Sequence, residues 1–226
     1  MNERAPVLIY GNGAVARLLF SYIRREREVL GFTVDDHVTG GATEFCGRPL
    51  YPFSAVQDVH PPRDREMIIA VGFIEMNRLR LKKAQEARAK GYRLTSYVEP
   101  ALIRHDGVSI GENTIILDCT SIHPGSAIGD SVFITSNVNI GHDCTIGDGA
   151  WINAGVSIAG GCTIGKGVFF GVNACVAQSV TIGDFAFLGA AGLADKDVSE
   201  GAVLIAQPAT PIRLKSQDFL RFARIG

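Results

Sequence analysis

From Ile110 onward an apolar residue returns at every sixth position: Ile110, Ile116, Ile122, Ile128, Ile134, Ile140, Ile146, Ile152, Ile158, Ile164, Phe170, Val176, Ile182 and Leu188. All fourteen are apolar and eleven are isoleucine, in a chain whose hydrophobic content is 46%. Chance alone would fill such a run about two times in a hundred thousand. The next position is glycine in eight hexads, which suits a chain that turns sharply every few residues. The fifth position is small or β-branched throughout, from Thr114 through Cys144 and Cys162 to Gly192, as expected for side chains in a narrow interior. A period of six fits neither a helix nor an open sheet. It fits a solenoid of short strands joined by turns, three hexads to a coil and between four and five coils in all.

The first hundred residues follow another pattern. Val7 to Tyr10 reads as a strand, Gly11-Asn12-Gly13 as a turn, and Ala14 to Arg24 as a helix with Ala, Leu and Phe at helical spacing. Phe32 to Val34 predicts a second strand ending at Asp35-Asp36, and Met67 to Val71 a third closed by Gly72. Glu75 to Lys90 predicts an amphipathic, basic helix ended by Gly91, and Arg93 to Val98 a fourth strand. Together these predict a small Rossmann-like α/β domain with a mostly parallel sheet, packed closely against the solenoid.

Composition narrows the function classes. Charged residues make up 20% of the chain and the net charge is -1, so no basic face exists for nucleic acid or an anionic membrane. The N-terminal stretch lacks the layout of a signal peptide and no apolar run is long enough to span a bilayer, so a cytoplasmic protein is expected. Cys46, Cys119, Cys144, Cys162 and Cys175 are odd in number and lack metal-ligand spacing. All five are expected to be reduced, with no metal bound.

Two places carry candidate chemistry. Gly11-Asn12-Gly13-Ala14-Val15-Ala16 matches GxGxxA, which brings backbone amides and a helix N-terminus to a phosphate, and Asp35 stands where a dinucleotide fold puts its ribose carboxylate. Hydride transfer is the first reading of such a turn, but about 100 residues are short of a full dinucleotide fold, and the solenoid offers no hydride chemistry. The second place is His142 in Asn139-Ile140-Gly141-His142-Asp143-Cys144. As third residue of its hexad it points outward at a turn, with an acid beside it. Imidazole has the pKa a general base needs, and a neighbouring carboxylate can fix its tautomer. His37 follows the acidic pair, within reach of a substrate there, but it reads as ordinary surface, as do His60 and His105. His123 lies within the repeat but has no following acid, so it ranks below His142.

The repeat resembles that of the hexapeptide-repeat acyltransferases, over about residues 101–211. That resemblance implies a left-handed parallel β-helix, against the usual right-handed crossover, and a homotrimer with active sites in clefts between solenoids. The α/β domain ahead of it, with its glycine turn and acidic pair, is similar to that of the bacterial nucleotide-sugar acetyltransferases of the bacillosamine, perosamine and sialic acid O-acetyltransferase-like group. The resemblance implies residues 1–100 as a nucleotide-sugar-binding domain, 101–211 as the acyltransferase domain and 212–226 as a helical tail. It implies that Gly11, Asn12, Gly13 and Ala14 cradle phosphate, that Asp35 and Asp36 contact the substrate, and that Gly72 borders the same pocket. Where relatives have Ser-Gly-His at the turn, this chain has Gly13-Ala14-Val15, so side-chain contacts there differ.

On the same resemblance His142 is the catalytic base assisted by Asp143, acetyl-CoA is the cosubstrate, and the acceptor is an amino or, less favoured, a hydroxyl group. Trp151 stands where some relatives have a second histidine, lining the cofactor channel or packing at a trimer interface; Val172 and Ala190 match positions that bind the thioester arm through backbone groups. Gln207-Pro208-Ala209-Thr210-Pro211 resembles the turn that ends such solenoids, and Ser216 to Phe222 is expected to form a helix capping the open end. A non-catalytic nucleotide-sugar-binding trimer that regulates a partner enzyme, and a transferase acting on a free sugar or small metabolite, remain alternatives.

Overall fold

The computed structural model describes residues 5–102 and 105–223. The N-terminal part contains β1 (Val7–Tyr10), α1 (Ala14–Ile23), β2 (Val29–Val34), β3 (Glu44–Phe45), β4 (Arg48–Pro52), α2 (Val56–Val59), β5 (Glu66–Ile69), α3 (Arg78–Ala89) and β6 (Arg93–Leu94). They form one sheet in the order β3-β4-β2-β1-β5-β6, parallel throughout except at the β3–β4 edge. β1 is wholly buried, and Ala16, Leu19, Phe20 and Ile23 turn one face of α1 onto the sheet. That spacing of apolar residues makes α1 a helix and also anchors it.

Three sequence expectations shift here. Arg93 to Val98 is two strands, because Leu94 ends the first sheet while Tyr97–Val98 pairs with Ile115–Ile116 as the first solenoid strand, β7. α3 begins at Arg78, not Glu75, because Glu75, Met76 and Asn77 all adopt left-handed backbone. Nor is α3 amphipathic in the ordinary sense: Arg80 and Lys83 share its buried side with Ala84 and Ala87. β3 and β4 carried no clear strand pattern, since Pro49 and Pro52 interrupt a run tolerated only near a sheet edge.

In the solenoid, β7 is followed by fifteen two-residue strands, β8 to β22, running from Ser109–Ile110 to Leu193–Ala194 at six-residue spacing. They form three parallel sheets, one of seven strands and two of five. Each residue pairs with the one eighteen positions on, as Ile122 does with Ile140 and Ile140 with Ile158, so three hexads make a coil. The hexad isoleucines fill the prism with Val132, Val138, Cys144, Ala150, Val156 and Cys162 between them. Beyond Ala194 the register shortens by two residues: Ile182 bridges Val198, and β23 (Val203–Leu204) pairs with Phe187–Leu188.

The glycines after the hexad isoleucines serve a different purpose from the one expected. Their role is close stacking of coils: a Cβ on Gly111 would sit 2.6 Å from the backbone carbon of Gly129. The sharp turning falls two residues later, where all fourteen hexads from Asn113 to Ala191 have positive φ, nine of them without glycine. Asn, Asp and Ser supply most of those, as their short polar side chains tolerate that conformation.

The two halves share one core. Ile115, Leu117, Phe133 and Trp151, on the outer side of the seven-stranded sheet, cluster with Ile9, Phe20, Phe32 and Ile68. Buried polar links complete the junction. Asn113 Oδ1 accepts the Ile69 N–H at 2.7 Å, while Arg80 donates to the carbonyls of Ile69 and Asn113. Asn77 donates to the Gly149 carbonyl at 2.6 Å. Helix α4 (Ser216–Phe222) forms as expected, but none of its residues is buried, so it does not cap its own solenoid. No described helix is long and apolar enough to cross a membrane.

Candidate functional site

At the C-terminal ends of β1, β2 and β5 lies a cavity of about 530 Å³. Ligands of open parallel sheets bind at this end, where strands give way to loops and helix N-termini. Gly11, Asn12, Gly13, Ala14, Asp35 and Gly72 all line it, so six of the seven residues read from the sequence as substrate contacts come together. Asp36 does not. Its carboxylate turns to Ser54, accepting the backbone N–H at 3.2 Å and the hydroxyl at 2.6 Å, and those bonds hold its pKa below the usual value.

The glycines of the turn have distinct reasons. Gly11 has φ +135° and a Cβ there would lie 2.6 Å from the Ala70 carbonyl oxygen, so the strand needs a glycine to pass its neighbour. Gly13 has nothing within 4 Å of where its Cβ would stand, leaving the start of α1 open to the cavity. No side chain caps that helix and no acid sits in its first turn, so its free amides face the cavity with the favourable end of the helix dipole.

At the other end, Asp35 is held by Lys83 Nζ, 2.7 Å from both carboxylate oxygens. Lys83 also reaches Glu86 at 2.6 Å. Burial works to raise the Asp35 pKa, but hydrogen bonds from Lys83 and Tyr10 outweigh it and keep the carboxylate ionised. Burial would likewise lower the pKa of Lys83, and Asp35 and Glu86 reverse that. Burial, then the bond to Asp35, raises the Tyr10 hydroxyl far above its ordinary value. Tyr10, Lys82 and Lys83 were missed by the sequence reading; the basic character of α3 was the signal for the two lysines, and the place of Tyr10 at the end of β1, next to the glycine turn, the signal for the tyrosine. His37 lines the same cavity.

His142 and Asp143 lie at the solenoid corner between the two five-stranded sheets, the corner facing away from the α/β domain. Both are exposed, and His142 Nδ1 is 2.9 Å from Asp143 Oδ2. Asp143 occupies the left-handed position of its hexad, φ 54°, which folds its carboxylate back toward the preceding ring. With Nδ1–H donating to the carboxylate, the Nε2 lone pair is left as a base. Space for the pair comes from adjacent coils: a Cβ on Gly125 would strike Asp143, and one on Gly160 would strike the His142 ring.

The other sequence candidates lie elsewhere in the chain. Val172 and Ala190 are exposed at the corner following the seven-stranded sheet, one corner away from His142. Trp151 departs from the expectation of a cofactor-lining indole. It is only 7% exposed, stacks on Phe133 at 4.1 Å, and its indole N–H donates to Asn153 Oδ1 at 3.1 Å. It is a core residue of the junction between the halves because its strand position points out of the seven-stranded sheet, onto the α/β domain. Among the described residues no group of three or more His, Cys, Asp or Glu is arranged to hold a metal ion.

Residues 143–178 match the family Bacterial transferase hexapeptide (six repeats). No curated protein sequence matches the chain. Among solved structures, a mutant of perosamine N-acetyltransferase from Caulobacter crescentus, in complex with CoA and GDP-perosamine, superposes with a TM-score of 0.81 at 26% identity, covering 91% of this chain and 95% of that one. The acetyltransferase domain of PglB from Neisseria gonorrhoeae, in complex with acetyl coenzyme A, gives 0.80 at 22% identity, covering 93% and 100%. WeeI from Acinetobacter baumannii gives 0.57 at 20% identity, covering 90% and 98%. The six-residue repeat and the three parallel sheets fit a left-handed β-helix, and the whole-chain architecture is similar to that of the solved perosamine N-acetyltransferase.

Proposed function

We propose that the protein is an acetyl-CoA-dependent N-acetyltransferase acting on an amino group of a nucleotide-linked sugar. The observation that carries the reading is the His142–Asp143 pair at an exposed corner, with Nδ1 2.9 Å from the carboxylate and the Nε2 edge set over Gly160 of the next coil. A 26% identical structure of the same architecture has CoA and GDP-perosamine bound, which supports an acyl transfer between these substrate classes.

In this reading the free amides of α1 and the cation of Lys82 receive the diphosphate, while apolar walls such as Val34, Val71 and Leu79 flank the rest of the nucleotide. The sugar amine attacks the thioester carbonyl as His142 Nε2 takes its proton, Asp143 stabilises the imidazolium that forms, and collapse of the tetrahedral intermediate breaks the C–S bond, the CoA sulfur leaving as the thiol with the proton the imidazolium returns. Exposed Val172 and Ala190, in corners of small residues that leave the backbone accessible, would hold the thioester arm. The cavity lies beside the seven-stranded sheet and His142 on the corner opposite to it, so a chain's histidine is turned from its own cavity. Transfer therefore takes a second copy alongside, and a homotrimer is the assembly proposed.

Two measurements test the proposal. Thermal stabilisation by UDP-, GDP- or dTDP-linked amino sugars should be seen for at least one nucleotide, and absence of any shift removes the nucleotide-sugar assignment. His142→Ala should lose about 10² to 10⁴ in turnover, read by thiol release from acetyl-CoA, with nucleotide-sugar affinity little changed; near-wild-type turnover removes the base.

A further inference from the structure

The C-terminal tail is at odds with its surroundings. Ile212, Leu214, Phe219, Leu220 and Phe222 are all exposed, Phe222 by 79%, and α4 is seven residues long with no buried side chain. A helix of that length is not stable in water on its own propensity, and five large apolar side chains within eleven residues make a surface that needs a partner.

The open end of the solenoid has the complementary need. β23 is its last strand, Leu193, Val203 and Ile205 are exposed around it, and a cavity of about 240 Å³ opens there over Ala194, Val198, Ala202 and Leu204. Charge is complementary too. The rim carries Asp195, Asp197 and Glu200 against Lys196, all exposed, whereas the tail carries Arg213, Lys215 and Arg221 against Asp218. One carboxylate oxygen of Asp197 accepts the Thr181 N–H at 2.8 Å.

We propose that the tail docks across the open solenoid end of a second copy of this chain, each copy capping its neighbour. Reach and stiffness favour the neighbour over the chain's own end. Ala206 to Lys215 has no helix or strand, and ten such residues extend up to about 33 Å. Pro208 and Pro211 fix φ and bias the residues before them to extended backbone, which keeps the segment long enough to reach a neighbour. The docked tail covers apolar surface at both ends of the contact and blocks a strand edge open to aggregation. This rests on the side-by-side assembly of the proposed function, not on its chemistry.

The test is carbodiimide cross-linking of full-length protein refolded from an equal mixture of unlabelled and nitrogen-15-labelled chains, read by mass spectrometry. Peptides joining Lys215 to Asp195, Asp197 or Glu200 are expected with one partner labelled and the other not. Such peptides found only with matched labels place the tail on its own solenoid and overturn the proposal, as does their absence. A chain ending at Ala206 is further expected to raise the dissociation constant of the assembly at least tenfold in sedimentation equilibrium; an unchanged value overturns the capping role. Both readouts are independent of turnover, so an inactive protein that cross-links between copies would remove the acetyltransferase reading and leave this one standing.

Discussion

The imidazole of His142 lies directly over Gly160, one coil further along the solenoid, and a Cβ at Gly160 would occupy the space of its Nε2 edge. Gly160 has no left-handed backbone requirement, so alanine there is conformationally acceptable and its effect falls on the ring. Gly160→Ala is expected to lower turnover by about 10- to 100-fold, the cost of a small misplacement of a catalytic group. Nucleotide-sugar affinity, measured by calorimetry, should stay within twofold. Unchanged turnover would mean that the ring's place over Gly160 is not its working position.

That relationship marks the limit of what the sequence discloses. The hexad isoleucines announce the solenoid by period alone, and the outward third position of a hexad singles out His142. The glycines one coil away, Gly125 and Gly160, lie eighteen residues from the pair they accommodate, and nothing local distinguishes them from the other glycines of the repeat. Likewise GxGxxA located the cavity, whereas Lys83 came to it only through the packing of α3 on the sheet. Asp36 looked equivalent to Asp35 in sequence, yet a single-residue change of direction at the end of β2 gives one to Lys83 and the other to Ser54. Trp151 was read from its match to a second histidine in relatives, but the seven-stranded sheet decides which face it points from.

Glu66 provides a pH signature of the α/β domain. Burial raises its pKa, but hydrogen bonds from Arg27 and Thr95 and the charges of Arg27 and Arg93 win, holding it below its ordinary 4.5. A carboxyl held below its unfolded value stabilises the fold above that value and loses the contribution as pH falls through the depressed one. The Arg27 side chain is 4% exposed and 2.7 Å from Glu66, so Glu66→Gln leaves a buried cation poorly paired and should cost about 3 kcal/mol at pH 7. The gap between variant and wild type in urea unfolding should narrow as pH falls below 4.5. A constant gap would show that the loss is one of packing and not of charge.

Asn113 couples backbone conformation to the junction. Its φ is +55°, its Oδ1 accepts the Ile69 N–H, and its Nδ2 donates to Ser131 Oγ at 2.9 Å. Asn113→Gly keeps the turn and loses the bonds, at about 2 kcal/mol for the orphaned buried partners. Asn113→Ala adds about 1 kcal/mol for a Cβ in left-handed backbone. Melting temperatures should fall by about 6 °C and about 9 °C respectively. Equal values for the two variants would dismiss the backbone component, and a fall under about 2 °C in both would dismiss the hydrogen-bonded link.

Trp151 separates a junction residue from a cofactor contact. Its ring stacks on Phe133 at 19° and lies 6.2 Å from Phe73, the residue after Gly72 in the cavity wall. Trp151→Phe keeps an aromatic plane between the halves and is expected to leave the KM for acetyl-CoA within about twofold. It loses the indole N–H bond to Asn153, at about 1 kcal/mol of stability. Trp151→Ala removes the stack and should cost about 4 kcal/mol. Because Phe73 then loses a neighbour, the KM for the nucleotide sugar should rise more than that for acetyl-CoA. The reverse order, with the acetyl-CoA KM rising tenfold in the Phe variant, would return the indole to the cofactor channel and displace it from the junction.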